Sequence, residues 1–105
     1  MAGVIKLREN KLVDLSMDFS VKVIKLCESI KGHYSLVHLL ERSATSIGAN
    51  IHEANYAHGK PDFIAKLQIS LKECYETEYW LEQRKSEQAE ILSLSGLREP
   101  ASFHR

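Results

Sequence analysis

The stretch Arg42–Asn55, RSATSIGANIHEAN, decides the fold of this chain. Wound as an α-helix, it carries two stripes side by side. Leu36, Leu40, Ser43, Ile47 and Ala54 follow the four-three spacing of a packed face. Arg42, Ser46, Asn50 and Glu53 step by four, four and three along the edge of that face. Polar groups half removed from water need partners. The line therefore predicts a polar seam between helices, not a freely solvated flank. The middle of the stretch is slim, with Ser43, Ala44, Ser46, Gly48 and Ala49. Small side chains let a neighbouring backbone approach, which offsets the cost of about 1 kcal/mol for Gly against Ala within a helix.

Two further helical stretches flank this one. Upstream, from about Glu9 to Lys31, Leu12, Leu15, Phe19, Val23, Leu26 and Ile30 form a heptad-like stripe and are the expected inner face. A second apolar arc, Val13, Met17, Val21 and Ile24, lies on another side. A helix apolar on two sides exceeds what one bundle partner covers, so this arc is the expected oligomer interface. Downstream, Gly59 is read as the stop of the second helix and Pro61 as a first-turn residue of the third. Phe63, Leu67, Ser70, Cys74 and Leu81 make the third stripe, with Thr77 at its edge. Lys66, Glu73 and Trp80 line the neighbouring flank, and Lys66, Glu73 and Glu76 join the predicted polar seam. No glycine or proline occurs between Pro61 and Gly96. After Leu81 the chain turns near Lys85 and Ser86 into a short fourth helix, Glu87 to Leu94, continues the third helix unbroken, or is a disordered tail. Residues 1–8 and 96–105 are expected to fray.

The 105 residues suit one domain with a modest core. With 14 basic and 14 acidic side chains, whole-chain charge gives no push toward nucleic acid or anionic membrane. No apolar run approaches the roughly 18–20 residues of a membrane span, and no secretory hydrophobic region opens the chain. A cytoplasmic protein without membrane partners is expected. Cys27 and Cys74 both fall on the apolar stripes and read as small buried hydrophobes in a reducing compartment.

Candidate chemistry is sparse. Glu53, Glu73 and Glu76 are the available carboxylates, but ion pairing with Arg42 or Lys66 accounts for them without catalysis. His52, Glu53 and His58 have the wrong spacing for a zincin motif, because imidazoles six apart do not share a helical face. None of the three carboxylates is followed three residues later by histidine, as a di-metal carboxylate bundle requires. Neither cysteine has an activating histidine and orienting acid. No enzyme activity, metal or cofactor is expected.

Several motifs carry a resemblance in the same order: Arg42, then Thr45 to Ile51, then Glu53-Ala54-Asn55. Asp62-Phe63-Ile64, Lys66-Leu67, Leu71 to Cys74, Glu76-Thr77 and Tyr79-Trp80-Leu81 follow. From about Leu12 to Leu81 the chain resembles the four-helix-bundle family of 23S rRNA intervening-sequence proteins. The resemblance implies an all-α, up-down antiparallel four-helix bundle that forms a homo-oligomer, typically a pentameric ring. It also implies a relation to the accessory protein of diversity-generating retroelements, which binds a reverse transcriptase and nucleic acid. Only residues 83–105 remain for a fourth helix, so a short or atypical one is expected. Two functions follow as expectations. One is a non-catalytic oligomeric scaffold or accessory subunit of a ribonucleoprotein or retroelement assembly. The other is direct RNA or DNA binding by a basic rim of the oligomer.

Overall fold

The chain is described by a computed structural model that covers residues 2–95, with side chains from residue 11 onward. It is all-α, with three helices among the described residues: α1 (Ala2–Ser29), α2 (Tyr34–Ala54) and α3 (Lys60–Leu94). Successive helices run antiparallel and short turns join them. Gly32 sits at φ 84° in the first turn, a left-handed conformation that side chains with a Cβ rarely adopt. In the second turn Gly59 is extended and caps the start of α3. It does not stop α2, which ends at Ala54. The backbone N–H of His58 donates to Asp62 Oδ2 at 3.3 Å. Pro61 stands in the first turn, where its missing N–H leaves no helix bond unmade.

Helix α1 starts at Ala2, earlier than the expected Glu9. Residues 96–105 lie outside the described residues. Helix α3 settles the alternatives at the C-terminal end: it runs through Lys85 and Ser86 without a turn. The short fourth helix from Glu87 to Leu94 does not form as a separate element. Residues 82–90, EQRKSEQAE, contain no breaker and are mostly strong helix formers, so nothing opposes propagation. Arg84 and Glu87 add an i,i+3 ion pair at 3.1 Å. At 1.5 Å per residue α3 is about 52 Å long and α2 about 31 Å.

Helix α2 is the centre of the fold. It packs against α1 on one side and α3 on the other, while the described backbones of α1 and α3 do not come within 8 Å. The molecule is accordingly elongated, 58 × 28 × 19 Å. The register follows from three pairs on each side. Ser16, Ser20 and Cys27 of α1 meet Gly48, Ala44 and Val37. Thr77, Ser70 and Lys66 of α3 meet Ser43, Ile47 and Glu53. The C-terminal turns of α3, past Glu87, extend beyond the start of α2. Glu87 ties this end to the first turn through His33 Nε2 at 3.1 Å.

The core is small. Val23, Cys27, Leu40 and Ala44 form its centre, with Val37, Trp80 and Leu81 packed against it. Ile47, Ile51 and Ala54 continue the buried face of α2. The inner face of α1 differs from the expected stripe. Ser16, Ser20, Val23, Cys27 and Ile30 are buried, whereas Leu12, Leu15, Phe19 and Leu26 remain between 37% and 57% exposed. The reason is the slimness of α2. At Gly48 the two helices approach so closely that an added Cβ would lie 3.1 Å from Ser16 Oγ. Serines fit that gap and leucines do not.

Candidate functional site

The features with functional potential are two open apolar grooves and the polar groups between helices. The first groove lies between α1 and α3, with α2 as its floor. Leu12, Leu15 and Phe19 form one wall and Leu67, Leu71 and Cys74 the other, over Ile47 and Ile51. Its volume is about 600 Å³. Glu78 and Glu82 stand at its α3 side, and neither makes an ion pair among the described residues. Cys74 opens into this groove and is exposed, so only Cys27 of the two thiols is a core residue. Desolvation raises the pKa of both thiols; for Cys27 the nearby Glu41 carboxylate adds to the effect.

The second groove lies on the opposite side of α1. Val13, Met17, Val21 and Ile24 line it with Thr45, Gly48, Ala49 and His52 of α2, around about 410 Å³. The expected interface arc is therefore one wall of a trough whose other wall is the slim face of α2. Met17 is 62% and Val21 41% exposed.

The expected polar seam is only partly assembled. Lys66 Nζ donates to Glu53 Oε1 at 2.9 Å, joining α3 to α2. This bond and the neighbouring carboxylate charge hold the Lys66 pKa above the usual lysine value. Asn50 turns inward on its own helix, donating to the Ser46 carbonyl at 2.9 Å. Ser46 contributes that carbonyl and no cross-helix bond through its hydroxyl among the described residues. Arg42 is exposed and lines a shallow hollow with Ile24, His38, Glu41 and Thr45. Glu73 and Glu76 are half-buried, and neither pairs with Arg42 or Lys66. Glu73 Oε1, Asn55 Oδ1 and Trp80 Nε1 are buried without a hydrogen-bond partner among the described residues.

Buried hydroxyls make further direct polar links between helices. Ser20 donates to the Ala44 carbonyl at 3.2 Å, joining α1 to α2. Ser70 donates to the Ile47 carbonyl at 2.8 Å, and the Thr77 and Ser43 hydroxyls bond at 2.9 Å, joining α2 to α3. Thr77 also lies 2.8 Å from its own Glu73 carbonyl, so it shares one proton between two acceptors. Ser16 and Ser20 were missed as buried groups because they fall between two apolar arcs. Their four-residue spacing opposite Ala44 and Gly48 was the available signal.

No three of His, Cys, Asp and Glu gather into a metal-holding group among the described residues. No helix in this part of the chain is long and apolar enough to cross a membrane.

Comparison with known proteins supplies the identity that the grooves do not. A crystal structure from Bacteroides thetaiotaomicron, described as a protein with unknown function from the S23 ribosomal protein family, is 44% identical to this chain. The match covers 71% of this chain and 70% of that one, with a TM-score of 0.66. A search of curated proteins finds no match. The family described as 23S rRNA-intervening sequence protein matches residues 8–91, most of the length and all three helices. The chain belongs to the 23S rRNA-intervening sequence protein family.

Proposed function

We propose that this chain is a non-catalytic, self-associating helical scaffold of the cytoplasm, serving as an accessory subunit of a ribonucleoprotein or retroelement assembly. The trough formed by Val13, Met17, Val21 and Ile24 against Thr45, Gly48 and Ala49 carries the reading. A greasy wall facing a slim one is shaped to take a neighbouring helix at short range. Repeating one such contact around a closed ring leaves no free edge. The assembly is taken to be the pentameric ring that the family resemblance implies. Among the described residues α1, α2 and α3 supply three helices of such a bundle.

The carboxylates support a structural role. Glu53 is engaged by Lys66, and Glu73 and Glu76 flank packed stripes without converging on a histidine or thiol nucleophile. The ribonucleoprotein context rests on the family description, which names a 23S rRNA intervening sequence.

Sedimentation of wild type and Val21→Glu tests the proposal. A wild-type oligomer that the charge converts toward smaller species supports it. A wild type that stays monomeric at micromolar concentration refutes it. Titration with ribosomal RNA at two salt concentrations separates direct phosphate binding from scaffolding, because phosphate contacts weaken steeply with salt.

A further inference from the structure

We infer that the α1–α2 trough of one copy is filled by the α2–α3 flank of the next, on the side away from the groove, with Arg42 of the first paired to Glu76 of the second. The inference rests on the ring reading above and names the face that enters the trough. A ring of more than two copies repeats a head-to-tail contact, so the trough needs a different face on its neighbour.

Helix α3 supplies that face. Ser70 and Thr77 point at α2 through their hydrogen bonds, and Leu71, Cys74 and Glu78 line the groove. Ile69, Glu73, Glu76 and Trp80 step by four, three and four along the remaining flank beside α2. Ile69 is 42% exposed, and Glu73 and Glu76 make no ion pair among the described residues. The trough carries the complement. Arg42 stands in a hollow that shares Ile24 and Thr45 with it, and Arg42 makes no ion pair among the described residues either.

The heights agree. In a ring whose axis runs along the helices, rotation moves a residue sideways and keeps its level. Ser16 meets Gly48, next to Ile47, whose carbonyl Ser70 bonds. Ile69 therefore stands level with Met17, which is 62% exposed. Ser20 bonds the Ala44 carbonyl, next to Ser43, which Thr77 bonds. Glu76 therefore stands level with Val21 and with Arg42. One turn further along α3, Trp80 comes level with Ile24. The rotated copy lays Ile69 and Trp80 along the apolar wall of the trough and sets the Glu76 carboxylate at the Arg42 guanidinium.

The trough and this flank adjoin along α2. Contacts through adjoining faces turn each copy relative to the last and close a ring with α2 toward its axis. Contacts through opposite faces would run on as a filament. The α1–α3 groove stays on the outside of the ring, uncovered by the neighbour.

Sedimentation of charge variants tests the pairing. Arg42→Glu alone sets carboxylate against carboxylate, and Glu76→Arg alone sets guanidinium against guanidinium. Each should raise the dissociation constant at least about tenfold. An equimolar mixture of the two should recover association, because each contact between unlike copies then joins opposite charges. A pair confined to one chain is not restored by mixing. If the single variants assemble like wild type, or if the mixture stays as dissociated as its components, the pairing is wrong. A wild-type oligomer that Val21→Glu breaks and both charge variants leave intact keeps the ring and overturns this face. A monomeric wild type overturns both. Trp80, the single tryptophan of the chain, adds a spectroscopic readout. Its emission should move to longer wavelength when Val21→Glu separates the copies, because Val21 lies against the Trp80 flank of the next copy. An unchanged emission maximum in the dissociated variant overturns the contact.

Discussion

Adding one methyl group at Gly48 tests how closely α1 and α2 approach. Within a helix, alanine is favoured over glycine by about 1 kcal/mol. Against this stands the contact. The new Cβ would lie 3.1 Å from Ser16 Oγ, 3.5 Å from Ser16 Cβ and 3.8 Å from the Ser16 carbonyl carbon. The last two distances are ordinary, and only the hydroxyl must give way. That hydroxyl donates to the Val13 carbonyl at 2.9 Å, and Ser16 is 6% exposed. Displacing it costs about 1 kcal/mol for the lost bond. The terms cancel, so Gly48→Ala should change stability by less than about 0.5 kcal/mol. In a Ser16→Ala background the obstacle is gone, and the same substitution should stabilise by about 1 kcal/mol, raising Tm by about 4–8 °C. Urea unfolding followed by far-ultraviolet circular dichroism gives all four corners of the cycle. Protein concentration is held fixed because association adds to stability. A full gain of about 1 kcal/mol from Gly48→Ala in both backgrounds would falsify the close approach.

Three other perturbations have defined outcomes. Thr77→Val should cost about 1 kcal/mol, while Thr77→Val with Ser43→Ala should cost less than the sum of the two, because both hydroxyls leave together; additive urea midpoints would remove the bond from the account. Lys66 has its pKa raised by Glu53, so the pair's contribution is fully present below the unfolded lysine value of about 10.4 and is lost as pH rises through the higher folded value. The gap in urea midpoint between wild type and Glu53→Gln should therefore be open at neutral pH and close in strong alkali; a gap unchanged by alkali contradicts the ion pair. With a maleimide at neutral pH, Cys74 should label well before Cys27, which is 3% exposed; equal rates would mean that the α1–α2 core opens freely.

How far the sequence led differs between helices. The three-four periodicity and the lack of breakers identified an all-α chain, and Pro61 marked the start of α3 within a residue or two. The Glu53–Lys66 pair followed from two flanks that must face each other. The inner face of α1 did not follow. Hydropathy assigns leucine and phenylalanine to the interior, yet the slim face of α2 admits only serine-sized groups beside it, so Leu12, Leu15 and Phe19 move aside to the groove. That displacement depends on the partner helix, and no periodicity within α1 carries it. The polar seam is only partly assembled within the chain, for a related reason. Arg42 and Asn50 share a helical edge, but Asn50 bonds its own backbone and Arg42 stays in solvent. Spacing shows which residues share a side; it does not show whether a partner stands opposite.

The central placement of α2 has a consequence for how the chain comes apart. Since α1 and α3 do not touch through their backbones, the fold consists of two helical hairpins that share one helix. Backbone contacts between helices therefore join only helices adjacent in sequence, which favours rapid folding from either hairpin. Loss of α1 leaves α2–α3 largely intact, and loss of α3 leaves α1–α2, whereas melting α2 removes both at once. Amide protons of α2 should therefore outlast those of its neighbours in hydrogen exchange, with the extension of α3 past Glu87 the first to exchange. Chain opening thus has a hierarchy, and its last member is the helix that carries the slim RSATSIGAN segment.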